Sequence, residues 1–379
     1  MCTTARRPAA IFPFLILCLA LFLGGCGSSK MQVCNVAPGC CGPAGACPAP
    51  PQHLFAAGIN GQISSFPVYG GTLLGPPTSV SGPQGSLGMT AINNAFLYVS
   101  NPAALSAGSV DAWSINSSTG ALTTVKGSPF SLGAFSAAGG LAANNNAQVV
   151  YVADAGRIDA LHADASGALT ALAGSPFSAG TGLFLAVDPS DKFLFASDTT
   201  PPGNVLAYTI DSTGALTAAA GSPFPAVPGS ATSTQPNQIV VDSTGKFVYV
   251  GLLTTNQIAA FSIDSSTGGL TPVPGSPFAT GNGPLGLATA NNVLYVSNTM
   301  DGTISGYTID ATSGVLTPAT GSPFAINAAA LAANSTGGFL YTSGVKGLQI
   351  WSIDLTTGAL TAVGSPVSNP GATMLVFAM

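Results

Sequence analysis

The sequence contains no glutamate, and charged residues of either sign are scarce. Only 6% of its 379 residues are charged, with Lys and Arg together numbering 8 and the 13 acidic residues all being Asp. A typical globular protein uses about 25% charged residues. With so few basic residues, the chain cannot form the positive surface with which proteins bind phosphates. Nucleic acid is therefore not expected as a partner.

Glycine, proline and apolar residues are abundant by contrast. The chain has 48 Gly and 29 Pro, and 46% of its residues are apolar. That composition supplies enough material for a core, and it is typical of many short strands joined by turns.

The N-terminus has the layout of a targeting segment. Arg6 and Arg7 precede an apolar run from Ala9 to Leu23, and the run ends in Leu23-Gly24-Gly25-Cys26. This ending resembles the bacterial lipobox, which implies that residues 1–25 are a lipoprotein signal peptide and that Cys26 is lipidated. An ordinary signal peptide or a transmembrane anchor is the alternative. Gly27 stands where an Asp would resemble an inner-membrane retention signal, which favours the outer membrane or the cell surface.

Residues 26–51 form a linker rich in Gly, Pro and Cys, without apolar periodicity. Its four cysteines after the lipidation site predict two disulfides of undetermined pairing in an exported protein, and a zinc site is the alternative. They are Cys34, Cys40, Cys41 and Cys47.

A repeated stretch organises the rest of the chain. Ser118-Thr119-Gly120-Ala121-Leu122-Thr123 is followed by Gly127-Ser128-Pro129-Phe130, and related copies recur every 43 to 54 residues, seven in all. This is the period of a four-stranded propeller blade. The sequence therefore predicts an all-β, seven-bladed β-propeller of four-stranded antiparallel blades over residues 52–379, with strands A to D running outward from the axis.

The two ends of this domain predict how the ring closes. The first strand, His53 to Ala57, matches strand B of a blade, and the last, Thr373 to Phe377, matches strand A. The C-terminal strand is therefore expected to become the innermost strand of blade one, which leaves no open edge.

Most of the acids and the repeated aromatics have structural interpretations. Eight Asp residues lie in predicted A–B or C–D turns, where the carboxylate can cap the turn. The Phe that follows Gly-Ser-Pro in five copies, which Val367 replaces in the seventh, is expected to pack between neighbouring blades. This Phe follows strand D, the outer strand, which is predicted from Leu216 to Ala220 in the fourth copy.

Seven such units and the recurring Phe-x-Tyr-Val strand, as in Phe96 to Val99 and Phe247 to Val250, resemble the lactonase-like seven-bladed propellers. That family includes the 6-phosphogluconolactonase and muconate cycloisomerase type and surface proteins with Tyr-Val-Thr-Asn repeats. The resemblance implies a lactone-processing site at one face of the channel, built with His, Glu and Arg. His53 and His162 match strand positions and Arg157 is the domain's one arginine, so no family catalytic residue is carried over.

The long loops point to one face of the propeller. They join strands B and C or strand D and the next strand A, and both connections lie on the same face. The polar residues expected there as ligand-binding candidates are Asn101, Asp154, Arg157, Asp198, Asn298 and Asp301.

Three functions are compatible with these residues. The first is a lipid-anchored binding scaffold of the cell envelope, expected to be monomeric, for a small polar ligand, a glycan or an envelope protein. The alternative is a lactone hydrolase, with Asp154 or Asp198 as the base and Arg157 stabilising the oxyanion. A metal-assisted version would gather Ca²⁺ on the oxygen atoms of four side chains, those of Asp154, Asp198, Asn298 and Asp301.

Overall fold

The computed structural model describes residues 52–73, 77–102, 108–132, 138–154, 156–181, 184–334, 336–368 and 372–378. The expected signal peptide, Cys26 and the four linker cysteines lie outside these ranges. Within them, no helix has the length and hydropathy needed to cross a membrane.

The described chain forms seven antiparallel sheets, which confirms the predicted seven-bladed propeller. Blade 1 contains β1 (Gln52–Gly58), β2 (Gln62–Tyr69), β3 (Thr72–Leu73) and β4 (Thr78–Ser81). Blade 2 contains β5 (Met89–Ile92), β6 (Phe96–Asn101), β7 (Ser109–Ile115), β8 (Leu122–Thr124) and β9 (Phe130–Ser131). Blade 3 contains β10 (Leu141–Asn144), β11 (Val149–Asp154), β12 (Arg157–Ala163), β13 (Leu169–Ala171) and β14 (Phe177–Ser178).

Blades 4 to 7 repeat this order. Blade 4 contains β15 (Leu185–Val187), β16 (Phe193–Asp198), β17 (Asn204–Ile210), β18 (Leu216–Ala218) and β19 (Phe224–Pro225). Blade 5 contains β20 (Pro236–Val241), β21 (Phe247–Leu252), β22 (Gln257–Ile263), β23 (Leu270–Pro272) and β24 (Phe278–Ala279). Blade 6 contains β25 (Pro284–Ala290), β26 (Val293–Asn298), β27 (Thr303–Ile309) and β28 (Leu316–Pro318). Blade 7 contains β29 (Ala330–Ala333), β30 (Phe339–Gly344), β31 (Gly347–Ile353) and β32 (Leu360–Val367).

The C-terminal strand closes the ring as predicted. β33 (Ala372–Ala378) pairs antiparallel with β1, with Ala378 opposite His53 and Ala372 opposite Gly58. It is therefore the innermost strand of blade 1. Because the first and the last described strands share one sheet, the ring has no unpaired edge at its seam.

Seven apolar cores lie between the blades, one at each interface. In the core between blades 4 and 5, for example, Phe195 and Val205 pack with Val250 and Phe261. The repeated Phe side chains pack against these cores, as predicted. Every core lies within Pro50–Met379, which forms a compact unit by itself. A fragment of residues 52–379 therefore contains all the described packing of the fold.

In blades 2 to 5 the outer strand differs from the prediction, because it consists of two short pieces, whereas blade 7 has one continuous outer strand, β32. In blade 4, β18 ends at Ala218 and β19 begins at Phe224, so the predicted strand from Leu216 to Ala220 is too long at its end. The chain leaves the sheet at Gly221-Ser222-Pro223, where Gly221 has a φ of 89° and Pro223 lacks an N–H. The Ser222 hydroxyl accepts a hydrogen bond of 3.1 Å from the backbone N–H of Ala207 on β17. It thereby replaces the missing strand partner.

Seven of the eight turn acids cap their own loops, as predicted, whereas Asp191 accepts the backbone N–H of Asn146 in the neighbouring blade. In the C–D turn of blade 5, Asp264 Oδ1 accepts the backbone N–H groups of Ser266 at 2.8 Å and Thr267 at 3.0 Å. The Ser266 side-chain hydroxyl donates to the same oxygen. These hydrogen bonds favour the ionised carboxylate and lower the pKa of Asp264 to about 2.

Candidate functional site

The propeller has two unlike faces. We call the face that carries the B–C loops and the D–A connections the loop face, and the opposite one the turn face. Strand B of each blade runs towards the loop face. Its last residue therefore lies there, and in four blades that residue is a sequence candidate. These residues are Asn101, Asp154, Asp198 and Asn298.

Asp198 is buried and links two segments of blade 4 through hydrogen bonds. Its Oδ1 accepts the backbone N–H groups of Thr181 at 3.0 Å and Thr200 at 2.9 Å. Its Oδ2 accepts the side-chain amide of Asn204 at 3.1 Å. The carboxylate thus holds the D–A connection against the start of strand C.

Asn298 and Asp301 have the same role in blade 6, and the structure brings them together. A Cβ added to Gly281 would lie 2.6 Å from Asn298 and 2.8 Å from Asp301, so both side chains flank this glycine. Asn298 Oδ1 accepts the Thr280 hydroxyl at 3.0 Å. Asp301 accepts the backbone N–H of Asn282 at 2.7 Å and its side-chain amide at 2.8 Å, and these bonds lower the pKa of Asp301.

Asp154 and Arg157 also meet, together with a third residue, Asp159. The Arg157 guanidinium lies 2.7 Å from Asp154 Oδ2 and 3.2 Å from Asp159 Oδ2. Both carboxylates are buried. Burial raises the pKa of Asp159 to about 6, and the charge of Arg157 offsets only part of this effect. Two buried acids therefore share one arginine in blade 3.

The candidates thus form separate groups rather than one site. Asn101 hydrogen-bonds Asp111 in blade 2, and the other groups belong to blades 3, 4 and 6. The four residues proposed for Ca²⁺ are distributed over three blades, and blade 5 lies between two of these. In the part of the chain that the structure describes, no group of three or more His, Cys, Asp or Glu side chains is arranged to hold a metal ion.

The two histidines are strand residues. His53 is buried on β1 in the place that Phe96 and Phe193 occupy on their strands, and its Nε2 lies 3.1 Å from the carbonyl oxygen of Ser117. His162 is exposed on strand C of blade 3. Neither lines the channel.

The loop face contains a cavity of about 500 Å³ at the mouth of the central channel. We call it the channel mouth. All seven blades contribute to it through their innermost strands or the residues just before them. None of the six sequence candidates lines it. Its lining consists of Ile59, Gly85, Ser86, Leu87, Gly88, Met89, Gly140, Leu141, Phe184, Leu185, Gln238, Ile239, Leu285, Ala329, Ala330, Leu331, Thr373, Met374 and Leu375.

A ring of large aliphatic side chains surrounds the axis at this level. Each blade contributes one residue from the same position of strand A, namely the residue that pairs with the position after the Tyr or Phe of strand B. Leu141, for instance, lies opposite Val152, and Ile239 lies opposite Val250. We call these seven the aliphatic ring, and all except Leu287 line the cavity. They are Met89, Leu141, Leu185, Ile239, Leu287, Leu331 and Leu375.

Exposed apolar side chains surround the channel mouth on one side. Of the seven large apolar residues exposed among the described residues, five lie on the loop face, in blades 6, 7, 1 and 2. They are Ile59, Leu87, Leu285, Met300 and Val345. We call them the apolar rim. Ile59, Leu87 and Leu285 also line the cavity, so this part of the rim and the cavity form one continuous apolar surface.

Sequence reasoning missed this surface because it searched for polar residues. The available signal was the aliphatic residue in strand A of every copy, such as Leu185 and Leu331. An apolar residue on a strand normally indicates core, and these residues do pack in the cores between blades. Only the closed ring shows that the same side chains also face the axis.

Solved structures similar to this one include 6-phosphogluconolactonase-like propellers. A candidate 6-phosphogluconolactonase from Bacteroides fragilis superposes with a TM-score of 0.71 at 18% sequence identity, covering 86% of this chain and 98% of that chain. A second one, from Bacteroides uniformis, has a TM-score of 0.71 at 17% identity, covering 87% and 100%. The periplasmic gluconolactonase of Pseudomonas aeruginosa has a TM-score of 0.67 at 17% identity, covering 86% and 98%.

No protein-family model and no curated protein matches the sequence. Similarity at such low identity concerns the fold alone. In fold, the described chain is similar to the 6-phosphogluconolactonase-like seven-bladed propellers.

Proposed function

We propose that the protein is a binding module of the cell envelope, attached through a lipid on Cys26, and that the channel mouth is its ligand site. The observation that carries this proposal is the lining of the channel mouth. None of the described side chains that line it is Asp, Lys, Arg or His. Ligand pockets are typically concave, mostly apolar and about 300–1,000 Å³ in volume, and this cavity falls within that range.

The lining favours an apolar ligand over the polar ligand or glycan expected from the sequence. Its polar side chains are Ser86, Gln238 and Thr373. Ser86 already donates a hydrogen bond of 3.0 Å to the carbonyl oxygen of Pro83, and Gln238 Oε1 accepts the backbone N–H of Leu287 at 2.8 Å. The Gln238 side-chain N–H groups and the Thr373 hydroxyl could replace only a few of the hydrogen bonds to water that a sugar placed here would lose. An apolar group, from a small molecule or a partner protein, would gain from burial.

Titration of residues 52–379 with the neutral apolar dye N-phenyl-1-naphthylamine tests this proposal. We expect saturable fluorescence enhancement that Leu285→Asp weakens about tenfold or more, because the new carboxylate would be desolvated at the cavity wall. Leu285 is 37% exposed, so the substitution should leave the fold intact. The matched control is Leu355→Asp, at a residue 41% exposed on the turn face. Equal dye binding by both variants would contradict the proposal.

A second candidate function is lactone hydrolysis, supported by the arrangement in blade 3. Asp159 has a pKa of about 6 and could take a proton from water near neutral pH, while Arg157 could stabilise an oxyanion. A panel of sugar lactones tests this function. Turnover that is lost in Arg157→Ala would support it, and turnover no faster than in buffer would exclude it for those substrates.

A further inference from the structure

The shape and chemistry of the channel mouth narrow the class of ligand. We propose that it takes one unbranched aliphatic chain, such as that of a fatty acid or another single-chain amphiphile, lengthwise along the propeller axis with the polar head at the loop face. This inference rests on the proposed function, because it assumes that the channel mouth is the ligand site.

The first argument is the symmetry of the walls. The aliphatic ring places one large apolar side chain per blade around the axis, and six of these line the cavity on all sides. A linear chain on the axis can contact every wall. Met89 of this ring and Met374 next to it have unbranched, flexible side chains, which adapt to such a guest.

The second argument is depth. Leu87, in the apolar rim, and Met89, in the aliphatic ring, are two residues apart in the chain, and both line the cavity. Two residues of extended chain span about 7 Å. The apolar surface therefore continues from the rim into the channel, and an elongated guest would contact both levels.

The third argument is charge complementarity. None of the described residues that line the cavity has a charged side chain. An uncharged hydrocarbon chain can therefore be buried there without removing a charge from water. A peptide segment fits less well, because its backbone N–H and C=O groups would be buried with few partners. The lining also has no side chain of opposite charge for an anionic or cationic head, so the head group should contribute little to affinity.

A chain-length series tests the inference on residues 52–379. Octanoate, decanoate and dodecanoate are titrated by calorimetry below their critical micelle concentrations. We expect affinity to rise about fourfold per added methylene, or about fifteenfold per step of two carbons, because each methylene is removed from water. Dodecanol should bind within a few-fold of dodecanoate. Leu285→Asp should weaken dodecanoate binding at least tenfold, and Leu355→Asp should leave it unchanged.

The outcomes separate this inference from the proposed function. Dye binding that depends on Leu285, combined with fatty-acid affinities that do not vary with chain length, would overturn the aliphatic-chain inference and leave the binding module standing. Absence of both kinds of binding would overturn both. Binding to phosphatidylglycerol vesicles without binding to monomeric fatty acids would indicate a membrane-docking face and would also overturn the inference. Thermal unfolding of each variant checks that the ring is intact.

Discussion

The hydroxyl of Tyr151 in blade 3 donates a hydrogen bond of 2.7 Å to the carbonyl oxygen of Gly214 in the C–D turn of blade 4. Both partners belong to the repeated sequence. The Tyr is the one in Phe-x-Tyr-Val, and the Gly is the one that precedes Ala-Leu-Thr. The same bond recurs in three other copies, which pair Tyr98 with Gly167, Tyr249 with Gly314, and Tyr295 with Gly358. The repeat therefore encodes a polar link between blades as well as the blades themselves.

Removing one such hydroxyl should destabilise the ring measurably. Tyr151→Phe should lower the free energy of unfolding by about 1–2 kcal/mol, because it deletes a buried hydrogen bond and leaves the carbonyl oxygen of Gly214 without that donor. Urea unfolding of residues 52–379 measures the change. Tyr341→Phe is the matched control, since its buried hydroxyl has no hydrogen-bond partner among the described residues. A similar cost for both variants would show that the hydrogen bond contributes nothing.

The closing strand predicts a larger effect. Deleting residues 369–379 removes β33, which pairs with β1 along its length and contributes Leu375 and Phe377 to the core between blades 7 and 1. The deletion therefore exposes the edge of β1 and two apolar cores. We expect the cooperative thermal transition to be lost. A truncated protein that melts cooperatively at the temperature of the intact one would contradict this closure scheme.

The fold could be predicted from the sequence because each blade repeats the same local signals. The turn acid, the turn glycine and the alternating strand recur, so an error in one copy is corrected by the others. The break in strand D at Gly-Ser-Pro could not be predicted in the same way, because it depends on a contact with the neighbouring strand. Its Ser222 hydroxyl replaces a backbone acceptor, and no pattern in one strand reveals such a partner on the next.

The candidate site could be predicted only in part. The sequence placed Asp154, Asp198 and Asn298 on the loop face, and the structure places each at the loop-face end of a strand B. What it could not predict is that Asp198 and Asn298 use their polar atoms for their own loops. The sequence did not predict the channel mouth, because this cavity exists only when all seven copies of strand A converge on one axis.

The proposed lipid anchor is tested by substitution of Cys26. Cys26→Ala should abolish labelling by an alkyne analogue of palmitate and release the protein into the soluble envelope fraction, because the proposed lipidation site is lost. Cys34→Ala is the control and should retain the label. Membrane association of Cys26→Ala without label would instead favour the transmembrane-anchor alternative.

The turn acids should make stability depend on pH in the acid range. The folded-state pKa of Asp264, about 2, lies below the roughly 3.9 of an unfolded Asp. Its contribution is therefore present above about pH 4 and is lost as the pH falls through about 2. Asp264→Asn should reduce the loss of stability between pH 4 and 2, because Asn does not titrate. The equivalent Asn116 in blade 2 already accepts the same type of turn hydrogen bonds, so the turn should persist.

Asp159 should have the opposite pH dependence. Burial holds its folded-state pKa at about 6, above the roughly 3.9 of the unfolded chain, so folding favours the protonated acid. Its contribution to stability is present below about pH 4 and is lost as the pH rises through about 6. Between pH 4 and 7, the unfolding free energy of the unmodified protein should therefore fall by about 1–2 kcal/mol more than that of Asp159→Asn.

Urea unfolding of both proteins across this pH range measures that difference. Comparing slopes rather than single values removes the constant cost of altering the contact with Arg157. Asp264→Asn is the control, because its effect should be confined to pH values below about 4. Identical slopes for the unmodified protein and Asp159→Asn between pH 4 and 7 would mean that Asp159 is ionised throughout. In that case the positive charge of Arg157 would outweigh burial, and the acid would have no proton-accepting capacity left near neutral pH.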